Sequence, residues 1–296
     1  MFFEGFELAT VRLKQGRVRL RIGGSGPALL LLHGALQTHA MWNAVAPALA
    51  TRHTVICPDL RGHGGSHRPA PTPGHAAHGS RAMAEDLLAL MDRLGHARFA
   101  VAGHDRGALV GYRLALEAPG RVASLTVLDA VPDLPRPEGD MAAELGRMPG
   151  LWFFEPRPLA EQVVSLAPEA WFNDHQGDRP QIPAWMHPEA AADYLAAAHD
   201  EAALASMKES FRAAATIDRM EAAIARGAGR RITCRTTVLW ATRGQLGGWY
   251  DPAEAWQPLC AAPVDGLAVA AGHYLAEEDP ATVLAVLSGG EHSAVA

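Results

Sequence analysis

The chain predicts an α/β fold built on a mostly parallel β-sheet, and two patterns carry that prediction. Short apolar runs recur at residues 28–32, 53–57, 99–102, 122–128, 236–241 and 266–270. Runs without polar alternation suit strands buried on both faces, as in a parallel sheet covered by helices. Segments with helical spacing lie between them, so strands and helices alternate along the chain.

Taken in order, residues 6–13 and 18–22 alternate apolar and polar around Lys14-Gln15-Gly16, which predicts a hairpin at the sheet edge. Gly23-Gly24-Ser25-Gly26-Pro27 ends it. The run 28–32 is a buried strand closed by His33-Gly34-Ala35. Residues 41–49 read as a helix and 53–57 as the next strand, followed by Pro58-Asp59-Leu60-Arg61-Gly62-His63-Gly64-Gly65-Ser66. Residues 67–79, rich in Pro, Ala and His, read as a solvated surface loop, and 81–94 as an amphipathic helix. After the strand at 99–102 comes a helix over 108–117, then the strand at 122–128, which closes on Asp129-Ala130-Val131-Pro132.

The character then changes. Prolines punctuate residues 132–158, and helical patterns follow at 159–166, 188–198 and 201–215. We expect a core of residues 1–132 and 232–296, with an all-helical insertion at 133–231. In the second core part, 251–259 reads as a helix and 280–287 as the closing helix. Gly272-His273-Tyr274 follows the last strand.

The chain has 296 residues, 49% of them hydrophobic, enough for one large domain or a domain with an insertion. A net charge of −6 without a basic stripe argues against nucleic acid or an anionic membrane as partner. No apolar run reaches membrane-spanning length, and Met1-Phe2-Phe3-Glu4 lacks the basic and apolar regions of a secretory leader. Cys57, Cys234 and Cys260 are dispersed, which fits neither a disulfide framework nor a zinc site and suggests a reducing cytoplasm.

The most informative stretch is Gly103-His104-Asp105-Arg106-Gly107, between a strand and a helix. Flanking glycines permit a sharp, strained bend that lifts its central residue above the sheet edge. A serine is usual at the centre of this turn in hydrolases. Here it is Asp105. A carboxylate there can attack a saturated carbon and form an ester. His273 falls beyond the last strand, at the same sheet edge, where it can deprotonate a water.

Together these motifs resemble the Asp-nucleophile branch of the α/β-hydrolase fold, which includes haloalkane dehalogenases, epoxide hydrolases and haloacetate dehalogenases. The carriers are Leu32-His33-Gly34, the 58–66 turn, Gly103–Gly107, Leu128–Pro132 and Gly272-His273-Tyr274-Leu275-Ala276-Glu277-Glu278. They span nearly the whole chain. Gly-His-Asp-Arg-Gly-Ala, Gln37-Thr38-His39 and Trp152-Phe153-Phe154 are most similar to fluoroacetate (haloacetate) dehalogenases. The resemblance implies an α/β-hydrolase fold with a helical cap after the sixth strand. It implies Asp105 as nucleophile, His273 as base and Asp129 as the acid that orients it. Asp251 is the alternative acid, where other members of the branch carry it. The backbone N–H groups of Ala35 and Arg106 are the implied oxyanion hole, while His33 reads as a structural hydrogen-bonding residue.

Arg106 is also implied in holding a substrate carboxylate, with an ion pair as its other reading. The pattern departs elsewhere. Leu109 stands where a second carboxylate-binding Arg is implied, Leu151-Trp152 where a His-Trp pair is implied, and Phe211 where a Tyr is implied. Fluoride leaves only with several hydrogen bonds in the transition state. A halogenated acid larger or more apolar than fluoroacetate is therefore the expected substrate. Trp152 either donates its indole N–H to the halide or packs with Phe153 and Phe154. His39 is a further candidate pocket residue.

Epoxide hydrolysis is the alternative reaction, for which Tyr194, the tyrosine within the insertion, would serve as acid. A non-hydrolytic biosynthetic catalyst or small-molecule binder on the same fold is the third reading. No metal or organic cofactor is expected, the partner is a small molecule, and a homodimer is possible at the level of the family.

Overall fold

The computed structural model describes residues 2–132, 162, 164, 166–167, 182–244, 246–249 and 251–289. Among them runs an eight-stranded sheet in the order β1-β2-β4-β3-β5-β6-β7-β8. The strands are β1 Phe6–Arg12, β2 Arg17–Gly23, β3 Ala28–Leu32, β4 Thr54–Pro58, β5 Phe99–His104, β6 Val122–Leu128, β7 Arg235–Ala241 and β8 Asp265–Val269. The β1–β2 hairpin forms one edge and joins β4 antiparallel; every pairing from β4 to β8 is parallel. The apolar runs become these parallel strands because helices bury both sheet faces. All five residues of β3 are buried, each leucine contributing about 2 kcal/mol by burial.

The helices are α1 Ala46–Leu49, α2 Ser80–Arg93, α3 Arg106–Glu117, α4 Pro188–Ala198, α5 Glu201–Ala213, α6 Arg219–Gly227, α7 Leu246–Trp249, α8 Pro252–Trp256, α9 Leu275–Glu278 and α10 Pro280–Leu287. One face of the sheet packs α2, α3 and Trp256. The other packs the segment around Trp42 and the α10 residue Val283. Helices α4 to α6 lie between β6 and β7 in sequence, so the helical insertion follows the sixth strand. A π-helical turn, Ala214–Asp218, joins α5 to α6.

Two expectations change. The single helix over 41–49 is a 3-10 turn, His39–Trp42, and the separate short α1; Pro47, the second residue of α1, cannot donate to a preceding helical turn. The 67–79 segment is exposed at residues 70–74 and 76, as expected of a surface loop, but it is anchored at its far end. It carries the 3-10 turn Pro73–His78, and His78 is fully buried, with Nε2 2.9 Å from Ser206 Oγ of α5. His75 Nδ1 lies 2.7 Å from Glu209 Oε2. This loop is clamped under the insertion, which composition alone does not reveal. The helix expected over 159–166 lies largely outside the described residues, although Val164 is buried against Leu204 and Met207.

Candidate active site

The site is built where β3, β5, β6 and β8 end at one sheet edge. Asp105 follows β5 with φ 47° and ψ −117°, a backbone region that non-glycine residues avoid. The bend depends on its glycines. A Cβ at Gly103 would lie 2.4 Å from Gly107 O, and one at Gly107 would lie 2.5 Å from Leu32 O. Those are backbone atoms that cannot move aside. Asp105 N donates to Leu128 O at 3.0 Å, and its own carbonyl accepts from Ala108 N at 3.0 Å, the first turn of α3.

The Asp105 carboxylate is already held by one backbone donor. Ala35 N–H donates to Asp105 Oδ2 at 2.9 Å. The next residue, Leu36, has φ 63°, in the left-handed region.

His273 lies beyond β8. Its Nδ1 is 2.6 Å from Asp129 Oδ2. Asp129 directly follows β6, is 2% exposed, and takes Ala241 N–H on Oδ1 at 2.9 Å. A buried carboxylate with both oxygens engaged fixes the imidazole with Nδ1 protonated, leaving Nε2 as the basic atom. Burial lowers the basicity of His273, but the hydrogen bond and charge of Asp129, with the charge of Asp105, raise it more, so its pKa stands above the ordinary imidazole value. Glu278 braces this loop, accepting Gly272 N–H at 2.7 Å and Tyr274 N–H at 3.2 Å. Asp251 lies elsewhere, capping α8 through Glu254 N–H at 3.0 Å.

The other sequence candidates are placed as follows. Arg106 is buried and committed internally: Nε donates to Ser210 Oγ at 3.0 Å, one terminal nitrogen to Asp218 Oδ2 at 2.6 Å, and the other to His78 O at 3.2 Å. Leu109 borders a cavity of about 60 Å³ with Arg106, Tyr112, Pro132 and Asp218. Phe211, like Leu36, packs against the cluster of Val164, Leu204 and Met207. Tyr194 is buried, its hydroxyl donating to Glu277 Oε1 at 3.1 Å. His39 is not brought to Asp105; its Nδ1 is 2.8 Å from Asp59 Oδ1 and its ring is buried. Leu151 and Trp152 lie outside the described residues. His33 is structural, as read from the sequence: Nδ1 donates to Gly34 O at 2.7 Å and Nε2 accepts Leu60 N–H at 2.9 Å. Burial pushes its pKa down to about 4.

Sequence reasoning missed a second layer. His104, Gln37 and Glu277 are buried behind the pair His273–Asp129 and joined by hydrogen bonds. Only the neighbourhood of His104 to Asp105, and of Glu277 to His273, pointed there. Among the described residues, no three His, Cys, Asp or Glu side chains gather so as to hold a metal ion. Among the same residues, no helix is long and apolar enough to cross a membrane.

A profile described as alpha/beta hydrolase fold matches residues 27–280. The fluoroacetate dehalogenase of Burkholderia sp is 35% identical over 288 residues, covering 94% of this chain and 91% of that protein. The soluble epoxide hydrolase of Corynebacterium sp. (strain C12) is 40% identical over 118 residues, covering 40% of each chain. Among solved structures, ALR0039 from Nostoc sp PCC 7120, crystallised as a candidate α/β hydrolase, superposes with a TM-score of 0.89 at 35% identity. That match covers 97% of this chain and 98% of ALR0039.

Proposed function

The chain belongs to the α/β-hydrolase fold family, and on that premise we propose that it hydrolyses a carbon–halogen bond through an ester on Asp105. The observation that carries the reading is the Ala35 N–H on Asp105 Oδ2 at 2.9 Å. It engages one carboxylate oxygen and leaves Oδ1 to attack. The fluoroacetate dehalogenase relative supports the choice of leaving group.

In the proposed first step Oδ1 attacks a saturated carbon, the carbon–halogen bond breaks, and halide leaves with the electron pair. In the second, His273 Nε2 takes a proton from water and the resulting hydroxide adds to the ester carbonyl. The negative charge gathers on Oδ2, facing Ala35 N–H and, by the family pattern, Arg106 N–H. Collapse returns the Asp105 carboxylate and releases the alcohol, which takes its proton from His273. Asp129 stabilises the imidazolium between these steps.

Dehalogenation stands ahead of epoxide opening because an opening epoxide oxygen needs an acid. Tyr194, the candidate in the insertion, directs its hydroxyl to Glu277. The proposed substrate is a haloacetate-like acid larger or more apolar than fluoroacetate. A carboxylate placed on Arg106 has to share the guanidinium with Asp218, and Leu109, Leu36 and Phe211 offer apolar surface. We further propose residues 133–231 as the cap and the pocket as the space between it and the core.

One turnover in ¹⁸O-water tests the chemistry, with bromoacetate, chloroacetate, 2-chloropropionate and fluoroacetate as the panel. Label is expected in the Asp105 carboxylate rather than in the first alcohol released. Halide release should run bromide over chloride over fluoride and vanish in Asp105→Asn. Label that enters the alcohol directly would remove the ester mechanism, and a panel giving neither halide nor label would favour the binding reading.

A further inference from the structure

Behind the base lies a buried polar chain that the proposed reaction does not use. His104 is 1% exposed, Gln37 and Tyr194 2%, and Glu277 4%. His104 Nε2 is 2.7 Å from the carbonyl oxygen of His273, and His104 Nδ1 is 2.9 Å from the Gln37 amide. The same amide is 2.9 Å from Glu277 Oε2 and 3.2 Å from Gly34 N. Tyr194 donates to Glu277 Oε1 at 3.1 Å. The chain thus ties together the strand end bearing Ala35, the nucleophile bend, the base loop and α4.

Counting protons constrains it. A neutral imidazole carries one N–H, an amide offers one oxygen and one NH₂ side, and an ionised carboxylate only accepts. With neutral His104 and ionised Glu277, the amide must turn its NH₂ to Glu277 and its oxygen to His104. His104 then donates from Nδ1, and its bare Nε2 faces the His273 carbonyl oxygen at 2.7 Å with no proton between them. One more proton is required. Placing it on His104 puts a buried imidazolium 4.5 Å, ring centre to ring centre, from the imidazole of His273, whose own charging it opposes. Placing it on Glu277 satisfies the line once the amide turns end for end. Glu277 then donates to the Gln37 oxygen, the Gln37 NH₂ to His104 Nδ1, and His104 Nε2–H to His273 O. The cost is the Gly34 contact, the longest of the set.

We propose that Glu277 is a positioning residue held as the neutral acid, whose proton orients Gln37 and His104 and so pins the His273 carbonyl.

The electrostatic surroundings agree. Burial raises Glu277 to about 8, opposed by donation from Tyr194 and Gln37, while Glu278 adds to the rise. Burial and the charge of His273 push His104 down to about 4, against the pull of Asp105 and Asp129. The 3-10 turn that packs on α9 turns its His39 toward Asp59, so it brings no cation to Glu277.

The test is nitrogen-15 NMR of the histidine rings between pH 6 and 9, with no substrate present. At pH 6 to 7, His104 is expected as the Nε2–H tautomer with Nδ1 unprotonated. A switch of His104 from the Nε2–H to the Nδ1–H tautomer, a step centred near pH 8 that reports loss of the Glu277 proton, should follow. Glu277→Gln supplies a permanent donor to the Gln37 oxygen and should abolish the step while keeping the tautomer. Tyr194→Phe removes a donor that favours the ionised acid and should move the step upward in pH. It serves also if Glu277→Gln does not fold. An imidazolium at His104, an Nδ1–H tautomer at pH 6 to 7, no step in the wild type, a step that persists in Glu277→Gln, or one that Tyr194→Phe leaves in place would overturn the proposal.

Discussion

Asp129 Oδ2 lies 2.6 Å from His273 Nδ1, and the residue that makes this contact has a left-handed backbone, φ 45°. The strained turn brings the carboxylate from the end of β6 across to the loop after β8. Asp251, the other sequence candidate, is committed to capping α8.

Asp129→Asn should lower turnover about 10⁴-fold, the typical cost of losing the tautomer-fixing carboxylate. Its pH effect has a definite sign. Asp129 raises the His273 pKa, and the base acts only when neutral. The acid limb of the wild-type rate profile should therefore lie above the ordinary imidazole value and move to lower pH in the variant. Asp251→Asn should leave both rate and profile unchanged. A matching loss in Asp251→Asn would reverse the assignment.

The bend at Asp105 stores strain, and glycine relieves it. Asp105→Gly should be at least about 1 kcal/mol more stable than Asp105→Ala, since φ 47°, ψ −117° suits only a residue without a Cβ. Both variants should be inactive. Urea unfolding of the pair measures the difference; equal midpoints would mean the bend is not strained.

Arg106 and Asp218 should behave as a coupled, mostly buried pair. Arg106→Ala or Asp218→Ala alone leaves a charge without its partner, at a cost of about 3 kcal/mol or more. The double variant should lose markedly less than the sum. A double-mutant cycle by denaturant unfolding reads this directly, and strict additivity would show that the pair contributes nothing as a pair.

Glu277 should make stability fall with pH. Its pKa rises from 4.5 to about 8 on folding, so the folded state binds the proton more tightly than the unfolded chain. Its contribution is full below pH 4.5 and is lost progressively as pH rises toward 8. Glu277→Gln does not titrate. The stability difference, Glu277→Gln minus wild type, should therefore grow in favour of the variant across that range and level off above it. A difference independent of pH would indicate an ordinary exposed carboxylate.

Much of this molecule is legible without coordinates because it depends on local pattern. The parallel strands announce themselves as unbroken apolar runs, since burial on both faces removes polar alternation. The bend around Asp105 is legible because its glycines are demanded by close backbone approach, a steric need that no other residue meets. His273 could be nominated because strand order puts its loop at the sheet edge of Asp105, whereas Asp129 was nominated only through the family resemblance. Here the sequence left two acids open, since Asp129 and Asp251 both follow core strands and the residues alone do not say which loop turns inward.

Tertiary structure decided the pairings that join distant segments. Arg106 meets Asp218, His78 meets Ser206, and Gln37 bridges His104 to Glu277, each across a separation that no periodicity spans. Short-range sterics write strands and tight bends into the order of residues. Which polar group satisfies which buried partner is settled only when the packed elements exclude water and leave each donor its one available acceptor.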